Sequence, residues 1–338
     1  YDPVFLEHDM GDHVENAARL TAVLDRLDGE GITDRLARVE ARAAGERELA
    51  LVHSRTYISA VKKIAERGGG ELNKDVVLTE GSYRAASYAA GGMLEATDRV
   101  LSGELDSVFG LVRPPGHHAF RKYGSGFCVF NNVALAARYA QLKHGLDKIL
   151  IIDFDTHHGN GTQEIFINNR HVYYISLHQF PHYPGSGMAG ETGRGISRNT
   201  NLNVPMPAGC GDIEYLRICK EIVEVATRRF EPELILVSAG YDSHWADGIS
   251  DMLVSADGFA RIIGMIKGLA EELCGGKLLL TLEGGYDLDS LASSVAASFR
   301  VLLDGESYTG ELPEPKHRLG APDIDAITKE IRALHHLD

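Results

Sequence analysis

The sequence predicts an α/β protein with a doubly wound, mostly parallel sheet and helices on both faces, and three observations support this prediction. Five short apolar runs, rich in β-branched residues and without alternation, have the pattern of strands that are buried on both faces. Apolar residues three and four positions apart mark helices between these runs. Gly and Pro are concentrated in the loops that follow the runs, and such alternation of strands and helices is typical of a parallel sheet.

The predicted elements follow one another along the chain without a polar linker. The strands are 107–112, 148–153, 172–177, 234–239 and 277–282. The helices are 131–144, 212–229, 256–274, 288–303 and 324–336. Asp212 and Asp257 stand in the first turns of two of these helices, where the helix dipole favours carboxylates. We therefore interpret residues 1–338 as a single domain with a tail from about Glu306.

Composition limits the classes of function. The 338 residues include 48 Asp and Glu against 34 Lys and Arg, which gives a net charge of −14. A chain this acidic is a poor candidate for nonspecific nucleic-acid binding, which needs cations to displace counterions from phosphates, but it suits a cationic substrate. No apolar run approaches the ~20 residues of a membrane helix. The four cysteines, Cys128, Cys210, Cys219 and Cys274, form no C-x-x-C pair, which predicts a reduced, cytoplasmic protein.

Candidate functional residues follow the predicted strands directly. In an open α/β sheet, ligands bind beyond the carboxyl ends of the strands. A single His or Asp at a strand end is usually structural, often a helix cap. Here four strands are followed by such residues, and four segments at one edge of the sheet favour a functional site. The segments are RPPGHH (113–118), DFDTHHGN (153–160), GYD (240–242) and EGGY (283–286).

A metal site is predicted within this set. Asp153, Asp155 and His157 alternate along an extended segment, so their side chains point to the same side. Asp155 and His157 can bind one ion, and Asp242 from another strand can complete the ligand set. Three protein ligands and a water are the pattern of a catalytic zinc site, in which zinc polarises a carbonyl and lowers the pKa of the water toward ~7.

Six motifs resemble those of the histone deacetylase superfamily, which includes acetylpolyamine amidohydrolases and acetoin-utilisation proteins. They are RPPGHH (113–118), GFCVFNN (126–132), DFDTHHGNGTQ (153–163), SLH (176–178), PGSG (184–187) and LEGGYDL (282–288). The resemblance extends in order from about His13 to Leu303. The LEGGY form and Asn160 are more similar to class II than to class I, where GGGGY and an Asp are usual. The resemblance implies an arginase/deacetylase-like fold and a zinc-dependent amidohydrolase that cleaves linear amides.

The resemblance also implies a role for each candidate residue. Asp155, His157 and Asp242 match the zinc ligands, in agreement with their spacing. The implied catalytic residues are His117 and His118 as a tandem pair, Asp153 and Asn160 as their respective partners, and Tyr286 as the donor to the scissile carbonyl. His118 is the expected general base and acid, and His117 an electrostatic partner. An Asn beside His118, where an Asp would stabilise the imidazolium, is expected to lower the pKa of His118.

The family pattern extends to a substrate tunnel and a second ion. Gly126 and Phe127 match one wall of a narrow acyl-lysine tunnel, and Tyr183 stands where Phe usually forms the opposite wall. Asp75 matches a rim residue that holds the substrate backbone, although by position alone, and a solvated loop charge is the alternative interpretation. The implied potassium ligands are Asp153, Asp155, Ser176 and the backbone carbonyls of His157 and Leu177.

Two alternatives from other classes are weakened by the sequence. A two-metal, arginase-like hydrolase would need carboxylates at positions that hold Gly159 and His244. A non-enzymatic member of the family should have lost Tyr286 or a tandem histidine, and all are present. The missing carboxylates and the retained catalytic residues together favour an enzyme with one catalytic metal ion.

The class of acylated amine is a further choice, between acyl-lysine and acetylpolyamines or other small amides. In one polyamine-specific branch of the family, a Glu seven residues after the zinc Asp meets the distant ammonium. Ile249 takes that place here, which favours acyl-lysine. Asp247, Asp251 or a loop from a dimer partner are the other sources of such a carboxylate, and whether the chain forms a homo-oligomer is left open.

Overall fold

The computed structural model of this chain describes residues 1–304 and 322–337. Within them the strands form an antiparallel hairpin and a six-stranded sheet. The hairpin pairs β1 (Gly69–Asn73) with β2 (Val76–Thr79). The strands of the large sheet are β3 (Ser107–Gly110), β4 (Ile149–Asp153), β5 (Val172–Gln179), β6 (Asn201–Met206), β7 (Leu234–Ala239) and β8 (Leu278–Leu282).

The large sheet is parallel and confirms the predicted architecture. Its strand order is β3-β8-β7-β4-β5-β6. Every residue of β4, β5, β7 and β8 is buried, which explains their continuous runs of Ile, Leu and Val. The chain builds outward from β4 through β5 to β6, and then returns to place β7 on the other side of β4. This reversal between β4 and β7 creates the crevice in which open α/β sheets bind ligands.

Helices cover both faces of the sheet. They are α1 (Ala18–Gly29), α2 (Glu46–Leu49), α3 (Arg55–Glu66), α4 (Ser82–Leu101), α5 (Asn132–His144), α6 (Asn160–Phe166), α7 (Asp212–Ile218), α8 (Glu224–Phe230), α9 (Ala256–Cys274), α10 (Leu288–Asp304) and α11 (Asp325–His335), with 3₁₀ turns at Pro3–Glu7, Thr33–Arg35 and Gly195–Ser197. α4 packs on α5, whereas α10 packs between α1 and α9. Both α5 and α9 contact β7, so the centre of the sheet lies inside the hydrophobic core.

The structure adds detail to one predicted helix and shows a strand that was not predicted. The helical stretch predicted at 212–229 is confirmed, but a π-helical turn over Cys219–Val223 separates α7 from α8. Strand β6 was not predicted, since Asn and Pro are rare in strands. Its place at the edge of the sheet tolerates Pro205, whose missing N–H is acceptable on an edge strand.

The end of the chain is described only in part. The last predicted helix is confirmed as α11, which ends one residue before His336. Of the tail that we expect from about Glu306, residues 306–321 lie outside the described residues. The single-domain interpretation therefore stays a prediction.

The cysteines and the helices bear on two predictions from composition. The four cysteines are free and buried. Among the described residues, no helix combines the length and the apolar character that a bilayer crossing requires. The free thiols agree with the predicted reduced state of the chain.

A buried ion cluster joins the start of the chain to two loops at the carboxyl edge of the sheet. Glu15 accepts bonds from Arg113 Nε at 2.6 Å and from Arg19 Nη1 at 3.0 Å. Arg19 also donates to the backbone oxygens of Glu283 and Gly285, at 2.5 and 2.6 Å. Burial alone would raise the pKa of Glu15, but the charges of Arg113 and Arg19 outweigh it and hold that pKa below its ordinary value.

We predict that Glu15→Gln lowers the free energy of unfolding by about 3–5 kcal/mol, because two buried guanidinium groups lose their counter-charge. Urea unfolding at neutral pH measures the change. Since the folded-state pKa lies below the unfolded value of ~4.3, this stabilisation is present above that pH and is lost as the pH falls through the folded pKa. Asp304→Asn, which breaks the exposed pair with Arg35, is the control and should have almost no effect. A loss below about 1 kcal/mol for Glu15→Gln would contradict the prediction.

Candidate active site

The candidate residues meet where the strand order reverses. Strands β4 and β7 are neighbours, and Asp153 at the end of β4 lies opposite Ser238 of β7. The segments that follow these two strands therefore carry Asp155 and Asp242 to the same crevice. The loops after β3 and β8 enter the crevice from the other side, because β8 pairs with both β3 and β7.

Asp155, His157 and Asp242 converge as the sequence predicts. His157 Nδ1 lies 3.0 Å from Asp155 Oδ1 and 3.1 Å from Asp242 Oδ2. One ligand atom from each residue lies within 4.8 Å of the others, and all three residues are buried. The remaining carboxylate oxygens are oriented by backbone N–H groups: Asp242 Oδ1 accepts from Thr156 at 2.8 Å, and Asp155 Oδ2 from Gly284 at 2.9 Å.

The chemistry of these three residues fits a divalent cation. Asp242 Oδ2 is buried and accepts no hydrogen bond of good geometry among the described residues, and His157 Nδ1, 3.1 Å away, is itself a candidate ligand atom. Burial and the adjacent charge of Asp155 raise the pKa of Asp242, so the two carboxylates lie together only at a cost that a cation offsets. One imidazole and two carboxylates form a ligand set that zinc accepts.

Two glycines keep space around the carboxylates. A Cβ on Gly240 would lie 2.1 Å from Asp155 Oδ2, and a Cβ on Gly284 would lie 2.2 Å from Asp242 Oδ2. Any side chain at either position would displace a predicted ligand. These close approaches explain the glycines of the GYD and EGGY segments.

A second buried group, His117, Cys128 and Glu283, is a poorer metal site. Glu283 Oε2 accepts from the backbone N–H groups of Gly116 and His117, at 2.7 and 3.1 Å, and its Oε1 accepts from Ser238 Oγ at 3.0 Å. Burial and the charge of Glu283 raise the pKa of Cys128 well above its usual value, so the thiol stays protonated. Protonated thiols are not metal ligands.

The tandem histidines have different partners and different charges. His117 Nδ1 donates to Asp153 Oδ2 at 3.1 Å, and the Tyr174 hydroxyl donates to the same oxygen at 2.8 Å. Burial lowers the pKa of His117, but Asp155 and Asp153 outweigh it and raise that pKa to about 10. His118 Nδ1 donates to Asn160 Oδ1 at 2.9 Å.

The pKa of His118 moves in the opposite direction. Burial lowers it well below the ordinary value, and the positive charge of the adjacent His117 lowers it further. At neutral pH, His117 is therefore protonated and His118 is neutral. With Nδ1 bonded to Asn160, the Nε2 atom of His118 is the one that can accept a proton.

Tyr286 lies beside the Asp155 and Asp242 carboxylates, in the loop after β8. The Arg19 guanidinium lies 5.0 Å from the centre of its ring, and Phe127 meets the ring edge to face at 6.1 Å. Burial raises the pKa of the phenol well above its usual value. The hydroxyl therefore stays protonated and can act as a hydrogen-bond donor.

The predicted rim residues also come together. Tyr183 contacts the ring of His118 edge to face at 5.3 Å, and its hydroxyl donates to Asp75 Oδ2 at 3.3 Å. The Phe127 N–H donates to the backbone oxygen of Asp75 at 3.3 Å. Gly126 has a φ of +50°, and a Cβ there would lie 2.3 Å from His118 Cδ2. Asp75 thus contacts both Phe127 and Tyr183, the two aromatic residues predicted to line the tunnel.

Two of the residues predicted to bind potassium are register partners on adjacent strands. Asp153 of β4 pairs with Ser176 of β5, and Leu177 follows Ser176 along the strand. Asp153 Oδ1 accepts from the N–H of Asp155 at 3.2 Å, and Ser176 Oγ contacts His178 Nδ1 at 2.9 Å. The potassium ion itself stays a prediction.

Three residues support the site in ways that the sequence did not predict. Arg19 holds the loop before Tyr286, and Glu283 holds the backbone of His117. Asp247 contacts the backbone of Tyr286. Arg19 lies in the segment HVENAARL (13–20), where the resemblance to the family begins, and this was a usable signal. Glu283 stands in the LEGGYDL motif and Asp247 follows Asp242 closely, but the sequence does not indicate which backbone groups their carboxylates bind.

Residues 13–302 match the histone deacetylase domain family, and the chain belongs to this family. The chain is 38% identical over 337 residues to Histone deacetylase 14, chloroplastic, of Arabidopsis thaliana, a match that covers 94% of this chain and 79% of that protein. It is 39% identical over 302 residues to Polyamine deacetylase HDAC10 of Homo sapiens, covering 86% of this chain and 44% of that protein. The crystal structure of the HDA15 HD domain superimposes with a TM-score of 0.88 at 34% identity, covering 100% of this chain and 92% of that one.

We predict that Asn160→Asp moves the acidic limb of the kcat/KM profile to a pH higher by about one unit or more. A carboxylate at this position stabilises the imidazolium of His118, so the neutral base is lost at a higher pH. The pH–rate profile of the purified enzyme measures the shift. Asn168→Asp makes the same charge change on an exposed loop and should leave the limb unchanged. An unmoved limb in Asn160→Asp would mean that another group titrates.

Proposed function

We propose that this member of the histone deacetylase family is a zinc-dependent deacylase that hydrolyses the amide of an acylated amine, preferentially an acyl-lysine. The observation that carries the proposal is the buried set of Asp155, His157 and Asp242 beside a neutral His118 and a protonated Tyr286. A cation site, a base and a hydrogen-bond donor are the three components that metal-assisted amide hydrolysis uses.

A role for each side chain follows from its contacts. Zinc held by Asp155, His157 and Asp242 would polarise the amide carbonyl and activate water. His118 Nε2 takes a proton from the attacking water and returns a proton to the departing amine, while Asn160 fixes the ring through Nδ1. Tyr286 donates its hydroxyl hydrogen to the amide oxygen as negative charge develops there.

The two histidines have separate roles in this proposal, since His117 stays positively charged while His118 accepts and donates a proton. His117, held by Asp153 and Tyr174, supplies a constant positive charge next to the reacting centre. That charge favours the neutral state of His118 and the developing oxyanion.

We predict that Asp155→Ala and His157→Ala each abolish stoichiometric zinc binding, together with deacylase activity. Each substitution removes one of three protein ligands and leaves the other carboxylates uncompensated. Elemental analysis after dialysis gives the zinc content independently of turnover. His182→Ala is the matched control, because this ring stacks on His157 at 5.1 Å but belongs to no ligand group. Full zinc retention in both ligand variants would refute the metal assignment.

Several observations favour acyl-lysine over polyamines. Ile249 offers no charge at the tunnel mouth. The carboxylate of Asp247 faces the backbone of Tyr286, and Asp251 Oδ2 accepts from Gln179 at 3.1 Å, so neighbouring groups of the chain already bind both. The relative named Polyamine deacetylase HDAC10 keeps the acetylpolyamine alternative open.

We predict that kcat/KM for an acetyl-lysine peptide equals or exceeds that for acetylspermidine. Ile249→Glu should move the ratio toward the polyamine, because a carboxylate in a partly dry mouth attracts the distant ammonium. Ile249→Gln introduces a side chain of the same size as Glu but without its charge, and it should leave the ratio unchanged. A wild-type preference for acetylspermidine of more than about tenfold, equivalent to ~1.4 kcal/mol, would contradict the prediction.

Two further features belong to this proposal. A potassium ion is proposed between β4 and β5, supported by the pairing of Asp153 with Ser176. The four free, buried thiols support a reducing compartment, for which we propose the cytoplasm.

A further inference from the structure

Asp247 connects the loop that supplies Asp242 to the loop that supplies Tyr286. Its Oδ2 atom accepts from the backbone N–H of Tyr286 at 2.6 Å and from that of Asp287 at 3.0 Å. Its own N–H donates to the backbone oxygen of His244 at 2.9 Å, which closes a turn within the loop. One carboxylate oxygen thus joins the segments that follow β7 and β8.

The backbone before Tyr286 needs such a connection. Gly284 and Gly285 precede it, and Gly285 has a φ of +116°. Because glycines permit many backbone conformations, other contacts must fix this segment. Arg19 fixes this segment from the opposite side, because it donates to the backbone oxygens of Glu283 and Gly285. The carbonyls before Tyr286 are therefore held by a cation, and the N–H groups at and after it by an anion.

A role as a simple helix cap does not explain these contacts. Helix α10 begins at Leu288, and the Asp287 side chain already accepts from the N–H of Ser290 at 2.8 Å. The bonds to Asp247 come from residues that precede the helix. The carboxylate of Asp247 also receives a backbone hydrogen bond from Ile249 and lies near the charge of Arg19, so its own loop holds it as well.

We propose that Asp247 is a positioning residue for the reaction: by holding the backbone of Tyr286, it sets the place of the phenol hydroxyl relative to Asp155, His157 and Asp242. This proposal rests on the proposed deacylase function, in which Tyr286 donates to the amide oxygen. The loop that provides a metal ligand then also aligns the oxyanion donor, so the two halves of the site cannot shift independently.

The test is a double-mutant cycle on the zinc-loaded enzyme with an acetyl-lysine peptide. Asp247→Ala should lower kcat by about 10–10²-fold with little change in KM or zinc content, because a donor displaced by a fraction of an ångström loses its effect in the transition state. In a Tyr286→Phe background, Asp247→Ala should cost less than about twofold more, since the hydroxyl that it aligns is absent. An equal loss in both backgrounds would overturn the proposal.

Conservative variants distinguish a loss of Tyr286 alignment from a general loss of stability. Asp247→Asn keeps an oxygen that accepts both N–H groups and should restore most of the kcat lost in Asp247→Ala. Asp247→Ser is too short to reach them and should share the loss, which covers the case in which the Ala variant fails to fold. Asp251→Ala, whose side chain contacts Gln179 instead, is the matched control and should leave kcat unchanged.

Hydrogen exchange tests the connection without requiring activity. Exchange at the Tyr286 and Asp287 amides should rise at least about tenfold in Asp247→Ala and stay near the wild-type rate in Asp247→Asn, since those amides lose their acceptor only in the first variant. Unchanged exchange in Asp247→Ala would overturn the proposal. A wild-type protein without deacylase activity would instead refute the proposed function, and the exchange rates would still decide whether Asp247 holds the loop.

Discussion

The proposed active site depends on two carboxylates that are buried side by side. Asp155 and Asp242 extend from adjacent parallel strands into a crevice, and their mutual repulsion in a dry environment is unfavourable unless a cation lies between them. The surroundings are shaped around this pair. Gly240 and Gly284 leave the carboxylates room, and backbone N–H groups bind the oxygens that face away from the ligand group. The parallel sheet makes the arrangement possible, because it brings the ends of distant segments to one edge.

Beside these carboxylates, two histidines differ in charge because their surroundings differ. His117 and His118 are consecutive in sequence, yet one faces a carboxylate and the other an amide. The first therefore keeps a proton and the second gives it up, which separates a fixed charge from a mobile proton. Glu15, Arg19 and Arg113 form a buried ion cluster next to the site, and Arg19 also donates to the backbone of the loop that carries Tyr286. The same charged groups therefore stabilise the fold and hold this loop in place.

The fold and the central residues could be predicted because they obey local rules. Continuous apolar runs indicated the buried strands. Because the carboxyl ends of parallel strands lie at one edge of the sheet, the polar residues directly after those runs were expected to lie close together. The supporting residues obey no such rule. Asp247 acts on the backbone of a residue far along the chain, and Glu283 binds the N–H groups of another loop, so only the tertiary structure connects them. Strand β6 was missed for a related reason: its Pro205 argues against a strand until its edge position is known.

The most direct test of this account is anomalous X-ray scattering at the zinc edge from crystals of the protein reconstituted with one equivalent of zinc. The account predicts one strong peak, lying between Asp155, His157 and Asp242 at coordination distances of ~2.0–2.2 Å from their ligand atoms. A peak instead at the group of His117, Cys128 and Glu283, or the absence of any peak between the two aspartates, would contradict it.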